Sequence, residues 1–311
     1  MRTKKKSLLI VGGTGFIGFN LGKKLKKKYT ITSISSKSPK KNRKITGMNY
    51  IVCDISKNNH LHSVLKKKNY DYVINLGGHV DHTNKKKTLQ SHYDGCRNLA
   101  NFFLKKNIER FIQIGSSVEY GNHNSPQIEN ILIEEKKLKS YYGIAKLKAT
   151  KFLLQLFKKY NFPVTILRLY LAYGPHQDTN RFLPIIITNC LLKKKFPCSK
   201  GIQYRDFLYI DDLVKLIEKL LNKKESLNGQ IFNAGSGKPQ KIKYVIKSIV
   251  NNLNGGIPEY GKIKLRKDEI LKLYPNIKKV KQFTNWQPKI TFKKGLKKTI
   301  MYYEEKFTKK I

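Results

Sequence analysis

Residues 7–18 read SLLIVGGTGFIG, a short apolar run interrupted by glycines, and the chain continues FNLGKKL. An apolar run of this length suits a strand buried on both faces of a parallel sheet. Phe16, Ile17, Leu21 and Leu25 then fall near helical spacing. Between the two lie Gly12, Gly15 and Gly18 in a GxxGxxG pattern. Gly12 permits a tight turn, Gly15 lets the backbone approach a pyrophosphate with no Cβ in the way, and Gly18 lets the helix pack close to the strand. The helix N-terminus, where Phe16 and Ile17 stand, offers N–H groups and a partial positive charge to an anion. Strand, glycine turn and helix in this order predict a dinucleotide-binding unit.

Working outward, YTITSIS (29–35), NYIVCDI (49–55), DYVINLGG (71–78), RFIQIGSS (110–117) and VTILRLYLAYGP (164–175) read as five further strands. Helical patterns cover 61–68, 89–106 and 141–160. This alternation predicts an α/β fold, a Rossmann-type doubly wound parallel sheet, with ligands at the carboxyl ends of the strands. After residue 175 the alternation weakens. NRFLPIIITNCLLKKK reads as a helix, YRDFLYIDDLVKLIEKLL as a strand feeding a helix, and GQIFNAGSG as a strand and turn. The expected division is a dinucleotide-binding domain over 1–175 plus about 206–236. A smaller, discontinuous lobe would hold the substrate, over about 176–205 plus 237–311.

The end of the second strand bears on the cofactor. A carboxylate there would hold the ribose hydroxyls of NAD. Here Ser35, Ser36 and Lys37 stand instead, with Lys40, Lys41 and Arg43 beyond. Hydroxyls and cations suit a 2′-phosphate, so NADP(H) is expected in preference to NAD(H). Asp54, after the third strand and next to Ile55, is placed to accept from the adenine amino group.

The chain of 311 residues carries 64 Lys plus Arg against 20 Asp plus Glu, a formal net charge of +44. A nucleic-acid partner is the first reading of such a charge. Only 8 of those 64 are arginine, the residue of base readout and bidentate phosphate contact. The lysines are also scattered in short runs along the whole length rather than gathered in one stripe. Solvated surface lysine is therefore the expectation, with no specific nucleic acid. Four cysteines show no CxxC pair or metal-ligand spacing, so no metal is expected. The start, MRTKKKSLLIVGG, lacks a small-residue cleavage site, and no stretch approaches the ~18 apolar residues of a membrane span. A cytoplasmic protein without a membrane partner is expected.

The segment SYYGIAKLK, 140–148, holds two adjacent tyrosines. Positions four apart share a helix face, and Tyr142 with Lys146 has that relation while Tyr141 pairs with Ala145. An ammonium beside a phenol favours loss of the phenol's proton, which makes Tyr142 the acid–base candidate. IQIGSSVEYG ends the fifth strand, and a serine there faces the ligand crevice, where its hydroxyl can orient a substrate oxygen.

Taken together, the glycine turn, CDI, NLGG, GSSVEYG, YGIAK, RLYLAYGP, QYRDFLYIDDL, FNAGSG and NWQP resemble the extended short-chain dehydrogenase/reductase family. The resemblance is to its NAD(P)-dependent nucleotide-sugar epimerase, dehydratase and reductase branch, and it runs nearly end to end. It implies that the catalytic hydroxyl lies four residues before Tyr120, at Ser116, with Ser117 the second choice and a substrate-binding candidate. It further implies hydride transfer at a sugar carbon, usually C4. Tyr142 would move the proton, Ser116 would bond the same oxygen, and Lys146 would hold the nicotinamide ribose. Gly77 and Gly78 would let backbone run close to the cofactor. Arg205 and Arg266 match the arginines that clamp the diphosphate, and Asn180 either touches the nucleotide or helps a loop turn. Trp286 is expected in the core of the smaller lobe.

Dehydratases of this branch carry Asp–Glu directly after the catalytic hydroxyl. Ser117 and Val118 stand there, and Glu119 falls one place later, on the other face if the segment is extended. A reductase of a nucleotide-4-keto-6-deoxysugar is therefore favoured, similar to those that make CDP-abequose or CDP-paratose. The alternative is a 4-epimerase with tightly bound NAD. Outside enzymology, the rival is a polyanion- or RNA-binding protein on a degenerate form of the same fold. Two departures stand out: Leu171 and His92 occupy positions where the family usually has asparagine. His79, His82 and His176 fall near the expected crevice, either as polar loop residues or as a second base. A homodimer is expected by the same resemblance.

Overall fold

The structure is a computed structural model that describes residues 5–79, 84–221, 224–265 and 269–308. Strand β1 (Ser7–Val11) leads through the glycine turn into α1 (Phe16–Leu25), then β2 (Thr30–Ser35), β3 (Asn49–Val52), α2 (Asn58–Leu65) and β4 (Tyr72–Asn75). Helices α3 (Lys85–Leu89) and α4 (Gly95–Leu104) come after it, joined by a π-helical turn over Gln90–Asp94. The sequence pattern over 89–106 predicts one uninterrupted helix, and the wider π turn displaces its register at His92. Next come β5 (Arg110–Ser116), α5 (Tyr141–Tyr160) and β6 (Val164–Leu169).

The strand predicted over 164–175 breaks in two. Tyr170 N–H makes the last bond to the sheet, at the Ala234 carbonyl, and Leu171 N–H donates instead to the Asp206 carbonyl, so the chain leaves the sheet after Tyr170. It resumes as β7 (Leu171–Tyr173). Helix α6 (Phe182–Leu191), β8 (Lys195–Cys198), β9 (Tyr204–Arg205), β10 (Phe207–Tyr209) and α7 (Ile210–Leu220) lead to β11 (Gln230–Ala234). The C-terminal part holds β12 (Gln240–Lys241), α8 (Ile242–Leu253), β13 (Ile257–Tyr260), β14 (Lys272–Leu273), α9 (Lys278–Thr284) and α10 (Phe292–Thr308).

Seven strands form one parallel sheet in the order β3-β2-β1-β4-β5-β6-β11. Side chains alternate across it. Leu8 and Ile10 of β1 enter one apolar core, and Leu9 and Val11 enter the core on the opposite face. Burial on both faces explains why β1 reads as an unbroken apolar run. The small pairings β7–β10, β8–β13 and β12–β9–β14 are separate from the main sheet, and residues of β7, β9, β10 and β14 line the other wall of the cleft. Trp286 is buried in the same core as Leu8 and Ile10, beside α7, its indole N–H donating to the Asp212 carbonyl. Among the described residues no helix is long and apolar enough to cross a membrane.

Candidate active site

A cavity of about 1490 Å³ opens at the carboxyl ends of β1, β2, β4, β5 and β6. At one end lies the glycine turn. Gly12 has φ +78°, the left-handed region that glycine tolerates, and its N–H donates to Ile34 while its carbonyl accepts from Gly15 N–H. A Cβ on Gly18 would lie 2.5 Å from both the Gly12 oxygen and the Gly13 Cα, so α1 packs against the turn only with hydrogen there. No side chain caps the N-terminus of α1, which leaves it suited to an anion. Gly12, Gly15, Phe16, Ile17 and Gly18 all line the cavity, joined by Ser35, Ser36, Asp54, Ile55, Gly77 and Gly78.

The cations expected after β2 are arranged differently. Lys37 is exposed and does not line the cavity. Arg43 turns away: its guanidinium donates to the His176 carbonyl, pairs with Asp178 at 3.2 Å, and lies over the Phe19 ring. Ser35 remains on the wall and accepts a hydrogen bond from Thr14 Oγ1 at 3.0 Å.

The catalytic candidates converge on the middle of the cavity. Ser140 caps α5, its hydroxyl accepting from Gly143 N–H at 2.9 Å, and Asn161 ends the helix in the left-handed conformation. The first turn of α5 lies against the turn after β5, where a Cβ on Gly143 would be 3.0 Å from the Val118 carbonyl oxygen. This close seat brings Tyr142 and Lys146 to the wall that Ser116 and Ser117 also line. Lys146 is buried and donates to the Ile114 carbonyl at 2.7 Å, with its ammonium 5.9 Å from the centre of the Tyr142 ring. Ile114 also accepts from Gln113, which accepts from Asn75, which in turn accepts from Gly77 N–H. A buried amide relay thus joins the backbone after β4 to the carbonyl that holds Lys146.

His92 stands on this wall as well. Its ring meets the Tyr142 ring edge-on at 4.9 Å, and its Nε2 lies 3.0 Å from the His79 carbonyl oxygen. The position that departs from the family pattern therefore still buttresses the tyrosine. His79 is exposed on the wall, and His82 lies outside the described residues. His176 is elsewhere, between Phe19 and Tyr302, with Nδ1 3.1 Å from the Tyr302 hydroxyl. Burial, reinforced by Lys23, Arg43 and Lys306, pushes its imidazole down to about 4.

Segment 117–120 is not extended. Ser117–Tyr120 forms a 3₁₀ turn, and Glu119 is fully buried within it. The turn swings Glu119 away from the cavity, so no carboxylate from this segment faces the substrate side of Ser116.

At the far end, Leu171, Phe182, Phe207 and Leu273 give an apolar wall, with Arg181 and Arg205 as cations. Arg205 pairs with Glu269 there. Arg266 lies outside the described residues. Asn180 is exposed and off the wall, whereas Arg181, the N-cap residue of α6, lines it. Sequence reasoning missed Arg181; its signal was that it is one of few arginines and immediately precedes a helix. No group of three or more His, Cys, Asp or Glu among the described residues could hold a metal ion.

Comparison with known proteins agrees with this architecture. Residues 8–235 match the model of the NAD dependent epimerase/dehydratase family. A UDP-N-acetyl-alpha-D-glucosaminuronate decarboxylase from Bacillus cytotoxicus is 27% identical over 97% of this chain and 98% of its own. A CDP-abequose synthase from Salmonella typhimurium is 34% identical over 140 residues, covering 43% of this chain and 46% of its own. Among solved structures, dTDP-glucose 4,6-dehydratase from Bacillus anthracis, in complex with NAD, superposes with a TM-score of 0.86 at 23% identity. That match covers 96% of this chain and 97% of the other.

Proposed function

The chain belongs to the NAD dependent epimerase/dehydratase family, and from that footing we propose that it reduces the 4-keto group of a nucleotide-4-keto-6-deoxysugar. The observation that carries the proposal is the convergence of Ser116, Tyr142 and Lys146 on one cavity with the glycine turn. The residues present fit a dinucleotide. The uncapped N-terminus of α1 suits its pyrophosphate, Asp54 its adenine and Lys146 its nicotinamide ribose. When bound, its reduced nicotinamide supplies a hydride to the sugar carbon. Tyr142 donates its phenolic proton to the carbonyl oxygen as that oxygen gains charge. Ser116 donates a hydrogen bond to the same oxygen. Lys146, held by Ile114, sets its side-chain nitrogen beside the phenol, where it offsets the charge that develops on the phenol oxygen in that step. Arg181 and Arg205 would grip the diphosphate of the substrate, Arg205 exchanging Glu269 for phosphate oxygens.

Elimination of water needs an acid beside the catalytic hydroxyl. Ser117 and Val118 supply none and Glu119 is turned inward, which supports reduction over dehydration. The partial match to a CDP-abequose synthase supports the same reading. NADP(H) in preference to NAD(H) rests on the serines and the missing carboxylate after β2. The second reading, a 4-epimerase with retained NAD, is favoured by one observation: Arg43 is engaged with His176 and Asp178 rather than with the cofactor end. The proposal extends to a cytoplasmic homodimer, and to a dinucleotide-binding domain over 1–175 plus about 206–236 with a smaller substrate lobe; β11, from 230–234, lying in the main sheet supports that division. Incubation with NADPH, or NADH, and a panel of 4-keto-6-deoxy nucleotide-sugars tests it. Loss of reduced-nicotinamide absorbance with a preference for NADPH is expected. Interconversion of C4 epimers with no net consumption of nicotinamide would instead establish the second reading.

A further inference from the structure

Glu119 plays no part in the chemistry of reduction, yet its carboxylate accepts three hydrogen bonds beside the cavity. Oε1 accepts from Ser116 N–H at 2.8 Å. Oε2 accepts from Thr150 Oγ1 at 2.9 Å and from Arg168 Nε at 3.0 Å. Glu119 and Arg168 side chains are 0% and 3% exposed, so this ion pair is dry. The surrounding backbone accommodates it: a Cβ on Gly115 would collide with Glu119 Oε1. The three partners belong to three different elements. Ser116 ends β5, Thr150 lies on α5 one turn beyond Lys146, and Arg168 lies on β6.

We propose that Glu119 is a positioning residue that holds the catalytic hydroxyl of Ser116 in register with the helix carrying Tyr142 and Lys146. The inference rests on the reading of the protein as a nucleotide-sugar reductase. A single carboxylate bonds the backbone of the hydroxyl-bearing residue with one oxygen and the tyrosine-bearing helix with the other. Movement of α5 along its axis must break one of these bonds or drag Ser116 with it. The Arg168 guanidinium, donating through Nε to Oε2, fixes the plane of the buried carboxylate. It is itself stacked over the Tyr120 ring at 4.4 Å. Small displacements matter at such a site, since a misplacement of about 1 Å can cost ~10²-fold in rate.

A merely structural ion pair makes a different prediction. Replacing a buried pair with apolar side chains of similar volume is often neutral or stabilising, whereas breaking it by removing one partner is not. The test is therefore the double variant Glu119→Leu with Arg168→Met. The expected result is a thermal midpoint at or near that of the wild type and KM values for both substrates within about twofold. The kcat should fall ~30- to 100-fold. Exchange of the Ser116 amide proton should accelerate about tenfold or more, with the amides of β1 unchanged. A folded double variant with kcat within about threefold of wild type would overturn the proposal. Should that variant fail to fold, Thr150→Val leaves the ion pair intact and cuts only the tie to α5. A loss of about fivefold in kcat at unchanged KM supports the proposal, and no loss overturns it. If the wild type turns over no nucleotide-sugar, the functional reading fails by itself. The Ser116 amide in the double variant then decides, acceleration supporting the tie and unchanged exchange overturning it.

Discussion

The two ends of the cavity are built by different means. The dinucleotide end is made largely of backbone: a glycine turn, an uncapped helix N-terminus and the ends of parallel strands. The far end is made of side chains from β7, α6, β9, β10 and β14, segments that touch the main sheet only at its margin. Backbone geometry is shared by every chain that adopts the fold, so the first end can serve a common cofactor. Side-chain geometry varies freely, so the second end can select a sugar and a nucleotide. Tyr142, Lys146 and Ser116 stand where the two meet.

The largest expected effect comes from that junction. Tyr142→Phe should lower turnover ~10²- to 10⁴-fold, the range of a lost general acid, while dinucleotide affinity measured by calorimetry stays within about twofold. A variant that kept turnover would remove the junction from the comparison altogether. Next, Gly18→Val should weaken the dinucleotide ~10²-fold, because a Cβ there meets the Gly12 oxygen and Gly13 Cα and α1 must shift. The KM for the sugar should stay nearly constant, and an equal rise in both would show that the two ends are not separable. Third, Arg205→Ala and Arg181→Ala should each raise the KM of the nucleotide-sugar by ~10-fold or more with little change in dinucleotide affinity.

The smallest effect tests a seam outside the cavity, where His176 packs Phe19 of α1 against Tyr302 of α10. Its imidazole is held neutral, down to about 4, so the unfolded chain binds the proton first as pH falls. The stability it contributes is complete above its ordinary value of 6.5 and is lost on acidification towards 4. Thermal midpoints at pH 7 and pH 5 should therefore differ more for the wild type than for His176→Asn. Asparagine tolerates the φ of +69° at this site. Equal shifts would mean that the seam does not feel the titration.

Legibility in the sequence followed the same division. The six strands, the glycine turn and the span of α5 were readable because their signals are local: glycine spacing, helical periodicity and apolar runs. The break at Tyr170 was not, because the group that draws the chain out of the sheet, the Asp206 carbonyl that accepts from Leu171 N–H, comes from elsewhere in the chain. Arg43 read as a cofactor cation because its neighbours in sequence suit a phosphate. Asp178 and the His176 carbonyl, which claim it, are invisible at that range. Asn180 and Arg181 differ by one position in the chain, and only the turn into α6 decides which reaches the cavity.

By itself the sequence determined the parallel sheet, the place of the glycine turn and the pairing of Tyr142 with Lys146 on one helix face. Each depends on residues within a few positions of one another, where bond geometry leaves little choice. Only the tertiary structure decided that Glu119 faces inward, that His92 supports the tyrosine ring and that Arg181 guards the far end. Those outcomes depend on which distant partner satisfies a buried charge or hydrogen bond, and burial is a property of the folded whole.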